Sequence, residues 1–379
     1  MSNLKVAIMV PPEDPANAAD RADTFIQAAE ISECLSILGN ESLTIIFGDD
    51  RTATERALAE VHPDVVFNLV EDVPEGADHL HVATALLDQL HMPYTGAPTT
   101  ALKALGDKQE MKRLLAANGL PLAPGLEFDP RIAPGAKAPS PGGLKSSDLS
   151  PKGKVKGSKA EPYLTSPFGG EVDAQRRVRG PSAMDTTNDG TLRYIVKSAT
   201  EHASIGIDAT SVVVGRAAAR ALIAQRQAGH GGTWFAEQYI DGREFNLGLL
   251  ETRAGVIPLP VAEILFLDHT SRPKIVGYAE KWTEDSAAYA TTPRSFATTP
   301  ADAPLHTELT RLSFAAWRLF GLKGYARVDF RVDDRGAPYI LEVNANPCLA
   351  ADAGFCAAAA ETGLSQTDIV AYLIETALA

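Results

Sequence analysis

Two carboxylates and an amide near the C-terminus are spaced so that one face of a β-hairpin could hold a divalent cation. The stretch 324–347 reads GYARVDFRVDDRGAPYILEVNANP. Val328, Phe330 and Val332 alternate with Arg327, Asp329 and Arg331; beyond Asp334-Arg335-Gly336, Tyr339, Leu341 and Val343 alternate with Ile340, Glu342 and Asn344. Alternation with period two on both sides of a Gly-containing turn predicts a hairpin. Folding about the Arg335–Gly336 bond opposes Val328 to Val343, Phe330 to Leu341 and Val332 to Tyr339, an apolar face. On the other face Asp329 opposes Glu342 and Arg327 opposes Asn344. Directly opposed side chains have Cβ atoms about 5 Å apart. Two carboxylates at that separation repel unless one is protonated or a cation lies between them. Oxygen-only ligands suit Mg²⁺ or Mn²⁺, and Mg²⁺ held by few protein groups takes its remaining ligands from water and nucleotide phosphate. The plainer alternative is a half-exposed hairpin with solvated charges.

A metal held this way needs a polyanion, and the preceding residues offer parts of a nucleotide pocket. Lys197 closes the apolar run Arg193-Tyr194-Ile195-Val196 and could reach a phosphate as a point charge. The loop from Glu201 through Ala203, Ser204 and Gly206 could lay backbone N–H groups over phosphates. Lys108 offers a second phosphate contact. Glu237-Gln238-Tyr239-Ile240 precedes an Asp-Gly turn, where a strand end could present backbone groups to adenine, and Glu244 could accept from ribose hydroxyls. Each taken singly is more often structural; their joint order carries the argument.

The elements that position these residues follow from periodicity. Strands are expected over 4–10, 42–47 and 64–70, separated by helices over 22–38 and 52–61 and followed by a helix over 79–90, an alternation that implies a parallel sheet. Ligands in such sheets sit at the carboxyl ends of strands. Glu13, Asp14, Asn68 and Glu71 are therefore candidates to hold a substrate amino group, with ligand-free loop residues an equal alternative. His79 and His81, two apart at a helix start, should point to different sides, which argues against a metal there. A helix is expected over 99–119, then a Pro-, Gly-, Ser- and Lys-rich interruption over 130–189 that lacks apolar periodicity and reads as an exposed, flexible insertion. Beyond it come a helix over 211–227, strands over 233–240, 244–251 and 257–265, a strand plus mobile segment over 274–282, a helix over 305–320, the hairpin, and a largely helical end over 353–379.

The chain of 379 residues is long enough for two or three domains. A formal net charge of −13 argues against nucleic acid or anionic membrane as a partner, so an anionic ligand requires a locally basic pocket. Three cysteines without CxxC spacing fit a reducing cytoplasm better than a disulfide framework. No secretory leader and no apolar run of membrane-spanning length is evident.

Gly106-Asp107-Lys108, Ile195-Val196-Lys197, Glu201 to Gly206, Glu237 to Glu244, and Arg327-Val328-Asp329 through Glu342-Val343-Asn344-Ala345-Asn346-Pro347 together resemble the ATP-grasp superfamily, and within it the D-alanine–D-alanine ligase branch. The resemblance implies an ATP-grasp fold of mixed α/β and α+β type. An N-terminal open parallel-sheet domain (1–98) would precede a central lobe (99–236) and a C-terminal lobe (237–379) that grip ATP between them. It implies that Lys108 and Lys197 bind phosphates, with Glu201 and Ser204 in the loop over them. Glu237, Gln238 and Ile240 would face adenine, Glu244 the ribose, and Leu341 would complete the nucleotide-binding set. Asp329, Glu342 and Asn344 would ligate two Mg²⁺, with Mn²⁺ as a substitute. Arg327 would stabilise an acyl phosphate and Lys281 would approach the γ-phosphate. The implied activity is ATP-dependent ligation of a carboxylate to an amine, on amino acids or small peptides, in a protein that is commonly a homodimer.

This chain departs from that branch on the substrate side, where Ala203, Trp282, Cys348 and Ala353 stand at positions usually occupied otherwise. Two alternatives therefore stay open: a non-catalytic ATP sensor, and a ligase that modifies peptides.

Overall fold

The apolar run Val6–Val10 is buried along its whole length, as expected of a strand covered on both faces. It belongs to β1 (Lys5–Val10), which pairs in parallel with β2 (Glu41–Ile46) on one side and β3 (Val65–Asn68) on the other. The structure is a computed structural model and describes residues 3–13, 18–71, 73, 79–126, 191–201, 206–267, 272–277 and 291–379. Helices α1 (Ala18–Ile37) and α2 (Arg51–Val61) make the crossovers, and α3 (His81–Gln89) follows β3. Asp50 caps α2 by accepting from the Ala53 amide. The N-terminal parallel sheet is thus as expected. His79 and His81 differ from expectation: their rings stack with centroids 6.1 Å apart, because His79 precedes the first regular turn of α3.

The predicted helix over 99–119 is two helices, α4 (Thr99–Leu105) and α5 (Lys108–Ala117). The break has a local cause. Asp107 adopts an extended backbone, and its carboxylate accepts from the Gln109 and Glu110 amides, so it starts a new helix instead of continuing the old one. Lys108 thereby becomes the first residue of α5.

A second sheet, wholly antiparallel, has the order β5-β4-β6, with β4 (Arg193–Ser198), β5 (Val212–Val214) and β6 (Trp234–Gln238). Between β5 and β6 lies α6 (Arg216–His230). The helix expected over 211–227 therefore begins late, because three consecutive valines favour a strand.

The third sheet runs β10-β9-β7-β11-β12, with β8 also on β7. Its strands are β7 (Gly242–Thr252), β8 (Gly255–Pro258), β9 (Ala262–Ile264), β10 (Arg294–Ser295), β11 (Tyr325–Asp333) and β12 (Pro338–Ala345). The single strand predicted over 257–265 is divided between β8 and β9, since Pro258 and Pro260 cannot donate to a ladder. Residues 272–277 form no strand, and the rest of the segment 274–282 lies outside the described residues, as does the interruption at 130–189. Helix α7 (Ala303–Phe320) buries Leu309, Leu312, Ala316 and Phe320 in one core with Phe245, Leu247, Val328 and Phe330 of the sheet. The helical end is two helices, α8 (Gly354–Ala360) and α9 (Gln366–Ala377), separated at Gly363 (φ +85°) and restarted by a Ser365 capping box. Among the described residues no helix is long and apolar enough to cross a membrane.

Candidate active site

The hairpin of β11 and β12 has the predicted register at its chemically important end. Asp329 opposes Glu342, Arg327 opposes Asn344 and Val328 opposes Val343. Beyond Asp329 the register shifts by one, so that Phe330 opposes Ile340 and Val332 opposes Pro338. Leu341 is the extra residue of a β-bulge. The expected pairs Phe330–Leu341 and Val332–Tyr339 are therefore corrected: Ile340, fully buried, fills the core where Leu341 was placed. Ile340 and Leu341 are both apolar, so alternation alone could not tell which one points inward.

The two facing carboxylates do not depend on an added ion for neutralisation. Arg327 grips Asp329 with two bonds, Nε to Oδ1 at 2.8 Å and Nη2 to Oδ2 at 2.9 Å. Asn344 Nδ2 donates to Asp329 Oδ2 at 2.8 Å, and Asn246 Nδ2, from the neighbouring strand β7, donates to Oδ1 at 2.7 Å. Glu342 Oε1 lies 3.2 Å from Lys108 Nζ. The protein itself supplies cations to the opposed acids, Arg327 to Asp329 and Lys108 to Glu342, so their proximity does not require a bound metal. Burial opposes the charge on Arg327, but the attraction and hydrogen bonds of Asp329 outweigh it and raise its pKa.

A second charged cluster sits beside the first. Glu237, on β6, is 1% exposed and lies between two lysines, with Oε1 2.8 Å from Lys197 Nζ and Oε2 2.7 Å from Lys112 Nζ. Lys197 on β4 opposes Phe235, which makes Glu237 its diagonal cross-strand neighbour. Burial alone would raise the Glu237 pKa, yet the two lysines hold it below the ordinary carboxylate value. Burial also lowers the Lys112 pKa, with Glu237 opposing the shift. Lys112 Nζ reaches the carbonyl of Leu341 at 3.3 Å, which connects this cluster to the bulge. Lys108 is fixed through both its ends: its amide donates to Ala199 O at 2.8 Å and its Nζ to Glu201 O at 2.5 Å.

The structure thus brings together Lys108, Lys197, Glu237, Leu341, Arg327, Asp329, Glu342 and Asn344, with Glu201 contributing its carbonyl. Gln238 and Ile240 lie at and just beyond the end of β6. The Gln238 amide already donates to Pro124 O at 2.7 Å, so any contact it makes with a base must use its carbonyl or side chain. Glu244 is ion-paired with the buried Arg331 at 3.0 Å, the two being partners across β7 and β11. Ser204 and Lys281 lie outside the described residues, as does Asp14. Asn68 is buried and its Oδ1 accepts from the Val70 amide at 3.2 Å, which gives it a local turn-forming use.

Sequence reading missed Lys112, Asn246 and Arg331. Lys112 follows Lys108 by four residues, and Met111 and Leu115 flank it on the same buried helix face, a spacing that could have flagged it. Asn246 falls on the polar side of the alternation in β7, in register with Asp329.

The donor set at the hairpin is hard oxygen: two carboxylates and an amide. Among the described residues no group of three or more His, Cys, Asp or Glu side chains stands ready to hold a metal. The set therefore fits a hard divalent cation that brings further ligands with it, as a nucleotide-borne ion does.

The profile "D-ala D-ala ligase C-terminus" matches residues 175–375. A D-alanine–D-alanine ligase of Moorella thermoacetica is 26% identical over 376 residues, covering 99% of each chain. One of Gluconobacter oxydans is 25% identical over 389 residues, covering 99% of this chain and 100% of its own. Among solved structures, the D-alanine–D-alanine ligase of Bacillus anthracis complexed with ATP superposes with a TM-score of 0.65 at 16% identity, covering 99% of this chain and 98% of its own. The fold is that of the ATP-grasp enzymes, and the protein is an ATP-dependent carbon–nitrogen ligase. The chain belongs to the D-alanine–D-alanine ligase family.

Proposed function

We propose that this protein joins the carboxylate of one amino acid to the amine of a second amino acid or short peptide, through an acyl phosphate. The observation that carries this reading is the facing Asp329–Glu342 pair set beside Arg327 and three lysines, Lys108 on Glu342 and Lys112 and Lys197 on the buried Glu237. The D-alanine–D-alanine ligase relatives make D-alanine the first substrate to test.

In this reading Lys108 and Lys197 neutralise the nucleotide phosphates as point charges. Asp329, Glu342 and Asn344 hold a divalent cation delivered with ATP, and that ion, when bound, spreads the charge on the transferred phosphoryl group. The substrate carboxylate attacks the γ-phosphorus in line and ADP leaves. Arg327 faces the oxygens of the acyl phosphate and of the tetrahedral adduct formed when the amine attacks, where a fixed guanidinium lowers the barrier without reorganising. Carbon–oxygen cleavage then releases inorganic phosphate and the amine gives up a proton. By the family resemblance Ser204 and Lys281 would also serve the phosphates. Glu237 holds the two lysines in place from behind, with Gln238, Ile240 and Glu244 on the nucleoside side. The setting is the reducing cytoplasm, consistent with Cys34, Cys348 and Cys356 forming no disulfide.

The departure at Ala353 favours an acceptor other than a second D-alanine. Ala353 stands at the N-cap of α8 and supplies no side-chain hydrogen bond there, so an acceptor carboxylate gains nothing from it. The test is phosphate release from ATP and Mg²⁺ with pairs of D- and L-amino acids and with short peptides. Release that requires two substrates together supports ligation; release with none of the panel favours a non-catalytic nucleotide sensor, and release with peptides alone favours peptide modification.

A further inference from the structure

Lys112 is given no nucleotide contact in the proposed function, yet at 6% exposure it is as buried as Lys108 at 7%. Its ammonium touches the Glu237 carboxylate on β6 and the Leu341 carbonyl at the bulge of β12, so one side chain of α5 bonds two different sheets. Full burial of a lysine is costly unless it is paired and hydrogen-bonded, and Lys112 has both compensations.

The charges explain what this arrangement does. Lys112 and Lys197 share one carboxylate, Glu237, so the three groups together carry one net positive charge. Lys108 is balanced separately by Glu342. If Lys112 were absent, Glu237 would neutralise Lys197 alone, and the ion pair would offer little to a phosphate. We propose that Lys112 is a positioning residue: it offsets the charge of Glu237 so that the cluster around Lys197 keeps a net positive charge toward the nucleotide, and its bond to Leu341 fixes the bulge immediately before Glu342. The proposal rests on the reading of Lys197 as a phosphate ligand.

The experiment compares K112M, K197M and K112M/E237Q, with ADP and ATP affinity measured by calorimetry in Mg²⁺ and thermal midpoints recorded alongside. A hydrogen bond to a charged partner supplies enough energy that K112M and K197M should each weaken nucleotide binding by roughly 10- to 100-fold. Removing the carboxylate as well, in K112M/E237Q, should recover about tenfold or more of the affinity lost in K112M, because Lys197 is again unpaired. If K112M lowers the thermal midpoint but leaves nucleotide affinity unchanged while K197M weakens it, Lys112 is only a packing residue and the proposal fails. If affinity in K112M/E237Q is no better than in K112M, the charge of Glu237 is not what Lys112 offsets and the proposal fails. Unchanged affinity in K197M removes the phosphate reading itself, and the charge-sharing role goes with it. If K112M does not fold, K112R decides: a retained cation should keep nucleotide affinity within about threefold of the parent, and a loss as large as that of K197M overturns the proposal.

Discussion

Asp329 and Glu342 face one another across the hairpin, yet each carboxylate is bonded to a different cation, Arg327 for the first and Lys108 for the second. The site is thus preorganised before any ion arrives. A metal bound here competes with two protein cations for the same oxygens, which favours an ion that brings phosphate to occupy those cations in exchange. Affinity for free Mg²⁺ should accordingly be weak and affinity for the magnesium nucleotide strong.

Glu342→Gln should reduce ATP-dependent turnover by about 100-fold or more, the order expected when a charge-stabilising group is lost from a transfer site. The side chain is partly exposed and its partner Lys108 keeps the Glu201 carbonyl, so the fold should survive. Phosphate release and a thermal melt on the same sample decide the matter. Full activity in this variant would remove Glu342 from the metal-binding assignment.

Gly96→Ala tests how the N-terminal sheet is joined to the hairpin. Gly96 has φ +89°, and a Cβ built there would collide with the Asn346 side chain, whose Oδ1 accepts from the Ala97 amide at 2.8 Å. Asn346 itself has φ +53°, so it has little freedom to withdraw. A loss of roughly 2–4 kcal/mol is expected in denaturant unfolding, combining left-handed strain with the clash. A loss below about 0.5 kcal/mol would show that this junction yields.

Arg243 is held by Glu263 and Asp302 together, with Nη1 2.6 Å from Asp302 Oδ1. The hydrogen bond from Arg243, then that from Thr299, pushes the Asp302 pKa down to about 2 from an ordinary value of 3.8. A depressed carboxylate pKa contributes stability above the unfolded value and loses it as pH falls through the folded one. Above about pH 5 the thermal midpoint of Asp302→Asn should therefore lie a constant, modest amount below that of the parent. The gap should close between about pH 4 and pH 2. Melts of both proteins across that range are the check, and a gap that widens toward pH 2 would contradict the assignment.

The acid face of the hairpin was legible because a two-residue period with one buried side leaves few registers. What lay past Asp329 was not legible, since Ile340 and Leu341 are equally apolar and the bulge leaves no mark in composition. Lys197, proposed as a phosphate contact, was readable from its place at the end of an apolar run, whereas Lys108 was expected inside a continuous helix and was singled out by the family resemblance. Lys112 was not, because a lysine inside a helix is normally solvated and only the fold supplies Glu237 opposite it. The split of the helix at Asp107 could have been read from an Asp followed three residues later by Glu110, a capping pattern. Asn246 required knowledge that β7 lies beside β11, a long-range pairing that no local pattern contains.

The bulge at Leu341 places the irregularity of the hairpin next to its chemistry and not at its tip. On the side toward Ala345, inward and outward positions follow one phase; on the side toward Pro338 they follow the opposite phase. Removing Leu341 would leave Glu342 outward and Ile340 inward in a regular ladder, but it would take away the kink and the carbonyl that accepts from Lys112. A turn between Asp333 and Pro338 that gains or loses residues leaves the phase at Glu342 unaltered, so natural length variation should collect at the tip and be absent from 341.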